Sequence, residues 1–169
     1  MAIPTLDDIQ NSVQDPLFSE HFRLSFPSIP GGGSVNPFTF QCKSATKPGM
    51  TLTQVEVQIF GHSLQYAGNV TYSHDMSCEY YENRKMQITK ALEDWSEFAR
   101  KHDTQHGAYK SEYAIVGTLQ IFDVKGNVIA TYKVHNMWPS AVPDMQFDGS
   151  SSQALSVQVS WKYDYYERV

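Results

Sequence analysis

Between Lys47 and Arg84 the chain runs for 36 residues without a single Lys or Arg, yet it carries Glu56, Asp75, Glu79 and Glu82 there. A second stretch, Val134 to Trp161, also lacks both basic residues. Charge is scarce throughout. Charged residues make up 18%, below the usual quarter, so uncharged polar side chains must cover more surface than is common. The formal net charge of −5 excludes a protein built to grip nucleic acid, since that affinity comes from Lys and Arg neutralising phosphates. It does not exclude a protein that nucleic acid merely passes. No segment approaches the roughly 20 apolar residues of a membrane span, so no membrane partner is expected. Met1 to Gln14 holds two Asp and no basic residue, which is neither the start nor the middle of a signal peptide. Synthesis and folding in a cytoplasm are expected. There are two cysteines, Cys42 and Cys78, with no His or second Cys nearby to complete a zinc pattern. Two unpaired, half-buried thiols are expected, with a disulfide as the alternative if the mature object lies outside a cell.

Aromatics, by contrast, are plentiful: 13%, with 10 Tyr and 9 Phe. Flat, stiff side chains pack well on a pleated surface, which favours β structure. The 169 residues suit one domain spanning 1–169. Thr5 followed by Asp7 and Asp8 predicts a short helix over 5–14, in an N-terminal arm of residues 1–16. Phe22, Leu24 and Phe26 alternate with polar residues as a strand, and the run 29–34 with its three glycines reads as a flexible surface loop. Phe38, Phe40 and Cys42 alternate as a second strand closed by Lys47-Pro48-Gly49. Thr53 to Phe60 alternates again and turns at Gly61-His62-Ser63 into a returning strand, Leu64 to Ala67. After Gly68-Asn69 one long strand follows, with Val70, Tyr72, His74, Met76 and Cys78 on one face and Thr71, Ser73, Asp75, Ser77 and Glu79 on the other.

The strongest helical pattern covers about 83–101. Asn83 is a good N-cap, and Ile88, Leu92, Trp95 and Phe98 recur at helical spacing as the face expected to pack on the sheet. His102 to Lys110 reads as loop. Ala114–Val124 and Val128–His135 flank Lys125-Gly126-Asn127, a hairpin turn. The region from Trp138 to Gly149 reads as irregular. Leu155 to Tyr165 alternates without a break as a final strand. The sum is a single mostly-β domain of α+β type with one packed amphipathic helix.

No catalytic or metal-binding constellation stands out. His102 and His106 are four apart, but Gly107 argues that the helix has ended before them, leaving a solvated loop. His74 and Asp75 are strand neighbours, so their side chains point to opposite faces. Gly31-Gly32-Gly33 is not followed by Lys-Ser/Thr, and no nucleophile elbow or dinucleotide fingerprint is present. An enzymatic reading has no residues to stand on, and no cofactor is implied.

Several strings carry a family resemblance: Pro37-Phe38-Thr39-Phe40-Gln41-Cys42-Lys43-Ser44-Ala45-Thr46, the Ala67-Gly68-Asn69 turn, Leu92-Glu93-Asp94-Trp95, Met137-Trp138-Pro139 and Asp144-Met145-Gln146-Phe147-Asp148. From about Phe18 onward the chain resembles the tail tube proteins of contractile-tailed, myovirus-type bacteriophages. That resemblance implies a β-sandwich or barrel-like subunit with a flanking helix, hexameric rings stacked into a tube, and strands joined between subunits into one continuous barrel. It also implies partners: further copies of the chain, a tail sheath protein, and baseplate and tail terminator proteins. DNA would pass through the lumen without specific binding, and the particle would be a virion assembled in the host cytoplasm. On this basis Gln54, Glu56, Gln58, Thr71, Ser73, Asp75, Ser77 and Glu79 are the expected lumen lining, an acidic face that repels a DNA backbone. The alternatives are a tube subunit of a phage-like injection particle or type VI secretion system, a tube-initiating baseplate protein of the same fold, or a monomeric β-barrel that binds a small ligand.

Overall fold

The computed structural model describes residues 16–169, so the helix expected over 5–14 lies outside the described residues. Nine strands and three helices follow: β1 (Phe22–Ser25), α1 (Asn36–Phe40), β2 (Cys42–Ala45), β3 (Met50–Ile59), β4 (His62–Tyr72), β5 (Asp75–Tyr81), α2 (Gln87–Ala99), α3 (Lys110–Tyr113), β6 (Ile115–Phe122), β7 (Val128–Pro139), β8 (Ser156–Lys162) and β9 (Tyr165–Arg168).

Two antiparallel sheets share strand β7. In the first, β1 pairs β6, β6 pairs β7, and β7 pairs β9. In the second, the last residues of β7 pair β8, β8 pairs β5, and β5 pairs β2. The switch occurs at Asn136, whose φ of 56° is a left-handed conformation that Asn tolerates better than most residues. The register slips beside it, between Ile115 and Gly117 on β6, so the strand bends from one sheet into the other. β7 thus continues through Trp138-Pro139, where the sequence reads as irregular. The C-terminal strand breaks in the same way: β8 ends at Lys162 and β9 returns to the first sheet.

One apolar cluster lies between these elements. Leu24, Leu119 and Val134 come from the first sheet, and Met76, Cys78, Tyr80, Val157, Val159 and Trp161 from the second. Helix α2 adds Ile88, Leu92 and Trp95. Trp161 sits at the centre, with its ring 5.1 Å from Phe26, 5.5 Å from Trp95 and 6.1 Å from Phe38. Phe98, expected on this face, is instead 44% exposed, one residue before the end of the helix.

Three further expectations change. Residues 36–40 form a short helix rather than a strand, because Pro37 sits in its first turn, where its missing N–H costs nothing; Phe38 then drops into the core while Phe40 faces solvent. Helix α2 begins at Gln87, after Met86 at φ 50°, and its N-terminus is capped by Glu82 rather than by Asn83 alone. The Glu82 carboxylate accepts from the backbone N–H groups of Ile88 (3.2 Å) and Thr89 (2.9 Å) and from the Thr89 hydroxyl (2.6 Å). The glycine loop packs on this helix: Ile29 is buried, and a Cβ on Gly31 would stand 2.7 Å from the Asp94 carbonyl oxygen, at a φ of 89° that already favours glycine. Both thiols are free, and burial pushes each up to about 12; Cys78 is fully buried and Cys42 half-buried.

Candidate assembly site

Among the described residues, strands β3 and β4 pair only with each other. They form a two-stranded ribbon that turns at Phe60 (φ 49°) and Gly61, and nearly every residue of it is exposed. A lone two-stranded ribbon is marginal in water, because each backbone has an unpaired outer edge and neither face has a layer to pack on. This one nevertheless carries apolar side chains over its whole length. Met50 is 60% exposed, Val57 37% and the tip residue Phe60 99%.

The pairing register shows how those side chains are distributed. Cross-strand partners share a face, so Met50 and Leu52 lie beside Tyr72 and Val70, and Gln54, Glu56 and Gln58 lie beside Ala67, Gln65 and Ser63 on that same face. The opposite face carries Thr51, Thr53 and Thr71 near the root and Val55, Val57, Ile59, Leu64 and Tyr66 toward the tip. Polarity therefore inverts halfway along the ribbon. The inversion falls at a bulge, where the register slips between Leu52 and Gln54 opposite Gly68-Asn69. Gly68 is needed there, since a Cβ would come within 2.5 Å of the Thr53 hydroxyl.

The root of the ribbon is tied to the body. Tyr163, buried between β8 and β9, shares a 2.7 Å hydrogen bond with the Ser73 hydroxyl and donates to the Gly49 carbonyl at 3.4 Å. His74, at φ 57°, breaks the chain between β4 and β5, and its Nδ1 lies 2.9 Å from the Tyr163 carbonyl. The Lys47 ammonium, three positions before the ribbon begins, sits over the rings of Tyr132 (5.0 Å) and Tyr166 (5.4 Å), a cation–π contact.

The long strand expected from Val70 onward is thus two strands, and its polar residues part company. Gln54, Glu56 and Gln58 share the tip half of one ribbon face. Thr71 lies on the other ribbon face, and Ser73 turns into the root. Asp75, Ser77 and Glu79 stand on the outer face of the second sheet, because Met76, Cys78 and Tyr80 alternate with them into the core. On that outer face they meet Ser156, Gln158, Ser160 and Lys162 of β8. Gln158 donates to the Ser77 hydroxyl at 3.1 Å.

Two lysines that a linear reading keeps apart from the basic-free stretch arrive on this face. Lys162 is the cross-strand partner of Asp75, with Nζ 2.6 Å from the carboxylate. Lys43 reaches the surface through the bulge between Cys42 and Ser44 and lies 2.8 Å from Glu79. The Lys43 contact, followed by Ser156, holds the Glu79 carboxyl below its ordinary value. Among the described residues, Glu56 has no cation beside it. Hydrogen bonds from Ser63, Gln58 and Gln65 lower its carboxyl instead. The alternation of β8 was visible in the sequence, but its register against β5, which creates the ion pairs, was not.

Among the described residues no group of three or more His, Cys, Asp or Glu side chains is placed to hold a metal ion. The arrangement defines a class of protein: a two-sheet domain carrying a two-stranded ribbon whose apolar surface is left uncovered among the described residues. The family comparison agrees. The phage tail tube protein family matches residues 21–169, and the chain belongs to that family. No curated protein sequence matches the chain. Among solved structures, it resembles a chain of the PVC extracellular contractile injection system sheath/tube terminator in its extended state, with a TM-score of 0.69, 14% identity, and coverage of 94% of this chain and 99% of the other. It also resembles a chain of the anti-feeding prophage baseplate (TM-score 0.66, 15% identity, 93% and 97% covered). A third likeness is to the SPP1 tail tube (TM-score 0.52, 14% identity, 90% and 78% covered). At these identities the structural likenesses speak for the fold: mostly β, with sheets that do not close among the described residues.

Proposed function

We propose that this chain is the repeating subunit of the inner tube of a contractile tail, assembling into hexameric rings that stack around a lumen through which DNA leaves the particle. The observation that carries this reading is the β3–β4 ribbon, which exposes apolar side chains on both faces and two unpaired edges while the rest of the domain packs normally. Edges of that length favour pairing with strands of neighbouring copies, and the continuous inter-subunit barrel implied by the resemblance would satisfy them. In the tube, the outer face of the β2–β5–β8 sheet and the polar half of the ribbon would form the wetted lining. The partners in this reading are further copies of the chain, a sheath, a baseplate and a terminator, and the particle is a virion.

Electron microscopy of the purified protein tests it. Rings or tubes are expected, and a monomer that persists at high concentration overturns the reading. A second reading, the tube of an injection particle carrying protein cargo, draws on the likeness to injection-system chains. The content of the lumen in intact particles separates the two: nucleic acid supports the first and protein the second.

A further inference from the structure

The acids on the second sheet's outer face do not stand alone. Asp75 and Lys162 are direct cross-strand partners at 2.6 Å, and Glu79 and Lys43 lie at 2.8 Å. All four side chains remain substantially exposed, so the pairs contribute little to folding stability. Their effect on the field is larger. A lysine on a face otherwise built from Ser77, Ser156, Gln158 and Ser160 would be a ready contact for a phosphate, whereas a lysine paired at this distance presents a dipole whose potential falls off much faster than that of a free charge.

We propose that Asp75 and Glu79 act by masking Lys162 and Lys43 from a passing DNA backbone, so that neither cation offers a phosphate grip, while Glu56, with no cation beside it among the described residues, adds unpaired negative charge to the wetted surface. The proposal rests on the reading of this face as lumen lining for its biological setting, but the masking belongs to the face itself. It replaces a uniformly acidic lining with two different jobs for three carboxylates. Asp75 and Glu79 cancel the cations brought in by the β2 bulge and by β8. Glu56, among the described residues, is held by Ser63, Gln58 and Gln65 with no cation at hand.

The test uses the isosteric double variant D75N/E79Q, the variant K43Q/K162Q and the quadruple variant, each prepared both as subunit and as assembled tubes. The probe is a short fluorescent DNA duplex. Wild type and K43Q/K162Q are expected to retain no duplex. D75N/E79Q is expected to retain it with an affinity that falls about tenfold between roughly 50 and 200 mM salt, the slope for two phosphate contacts. The quadruple variant should lose that retention. If D75N/E79Q holds no more duplex than wild type, or the quadruple variant holds as much as the double, the masking is overturned. Duplex found by electron microscopy on the outside of D75N/E79Q tubes would keep the masking and overturn the placement of the face in the lumen.

Discussion

The β3–β4 ribbon and the β5–β8 pair are built from the same kind of sequence and meet opposite fates. Both are antiparallel, and in both apolar and polar residues alternate. Behind β5 and β8, the apolar side chains Met76, Cys78, Tyr80, Val157, Val159 and Trp161 close on helix α2 and the first sheet. Val55, Val57, Ile59, Leu64 and Tyr66 stay exposed, with nothing among the described residues closing over them. Period-two alternation states that a face will be covered; it does not say by which molecule. In this protein the difference separates the part that folds the subunit from the part proposed above to join subunits.

Breaking the two regions in turn should give the largest contrast. Trp161→Ala removes the ring at the centre of the core and should cost about 3–5 kcal/mol, read as a collapse of the thermal or denaturant midpoint. Val57→Lys, on the ribbon, should change the subunit's midpoint by less than about 0.5 kcal/mol, because its surroundings are solvent. The same substitution should abolish tubes in electron micrographs. Each half-exposed apolar residue covered on assembly contributes about 1 kcal/mol, repeated in every copy. Tubes of normal yield from Val57→Lys would remove the ribbon from the interface.

Glu82→Ala sharpens the core side of the contrast. It strips the cap from helix α2 and leaves the Ile88 and Thr89 N–H groups without their acceptor, an expected loss of about 2 kcal/mol by chemical denaturation. Tyr163→Phe probes the junction between the regions. The aromatic body stays in place, while the hydroxyl contacts to Ser73 and Gly49 go. A global loss of about 1 kcal/mol is expected, together with faster amide hydrogen exchange in the first residues of β3 and the last of β4. The smallest effect concerns Asp164, whose carboxyl is held below its ordinary value of 3.8, first by Lys110 and then by Asn136. A depressed folded value means the contribution is complete above the ordinary value and is lost as pH falls through the folded one. Asp164→Asn should therefore lower stability by a small, constant amount over pH 5–8, and the two profiles should converge below about pH 4.

Much of the fold is legible in the residues. The hairpin turn at Gly61, the amphipathic helix with Ile88, Leu92 and Trp95 inward, and the alternation of β8 all follow from periodicities a single segment carries by itself. What escaped is the set of places where the backbone leaves its local pattern. His74 at φ 57° cuts one expected strand into two, and Asn136 at φ 56° carries β7 from one sheet into the next. Pro37 turns an alternating run into a helix. Each depends on what the neighbouring layer can accept, which no window of sequence contains. The eight polar residues expected on one lining scatter over four locations: the pairing register of the ribbon sets Thr71 on the face opposite Gln54, Glu56 and Gln58, and the break at Ser73-His74 re-aims Asp75, Ser77 and Glu79.

The basic-free stretch from 48 to 83 marks the same boundary. Its composition was set by the sequence alone, as were its alternation and its turn, because these are properties of residues and their immediate neighbours. Its charge was decided by the tertiary structure. Strand pairing set Lys162 against Asp75, and a bulge turned Lys43 toward Glu79, across separations of 87 and 36 positions in the chain. Electrostatic potential depends on distance in space, and only the pairing of the sheet converts a stretch without basic residues into a face that carries two.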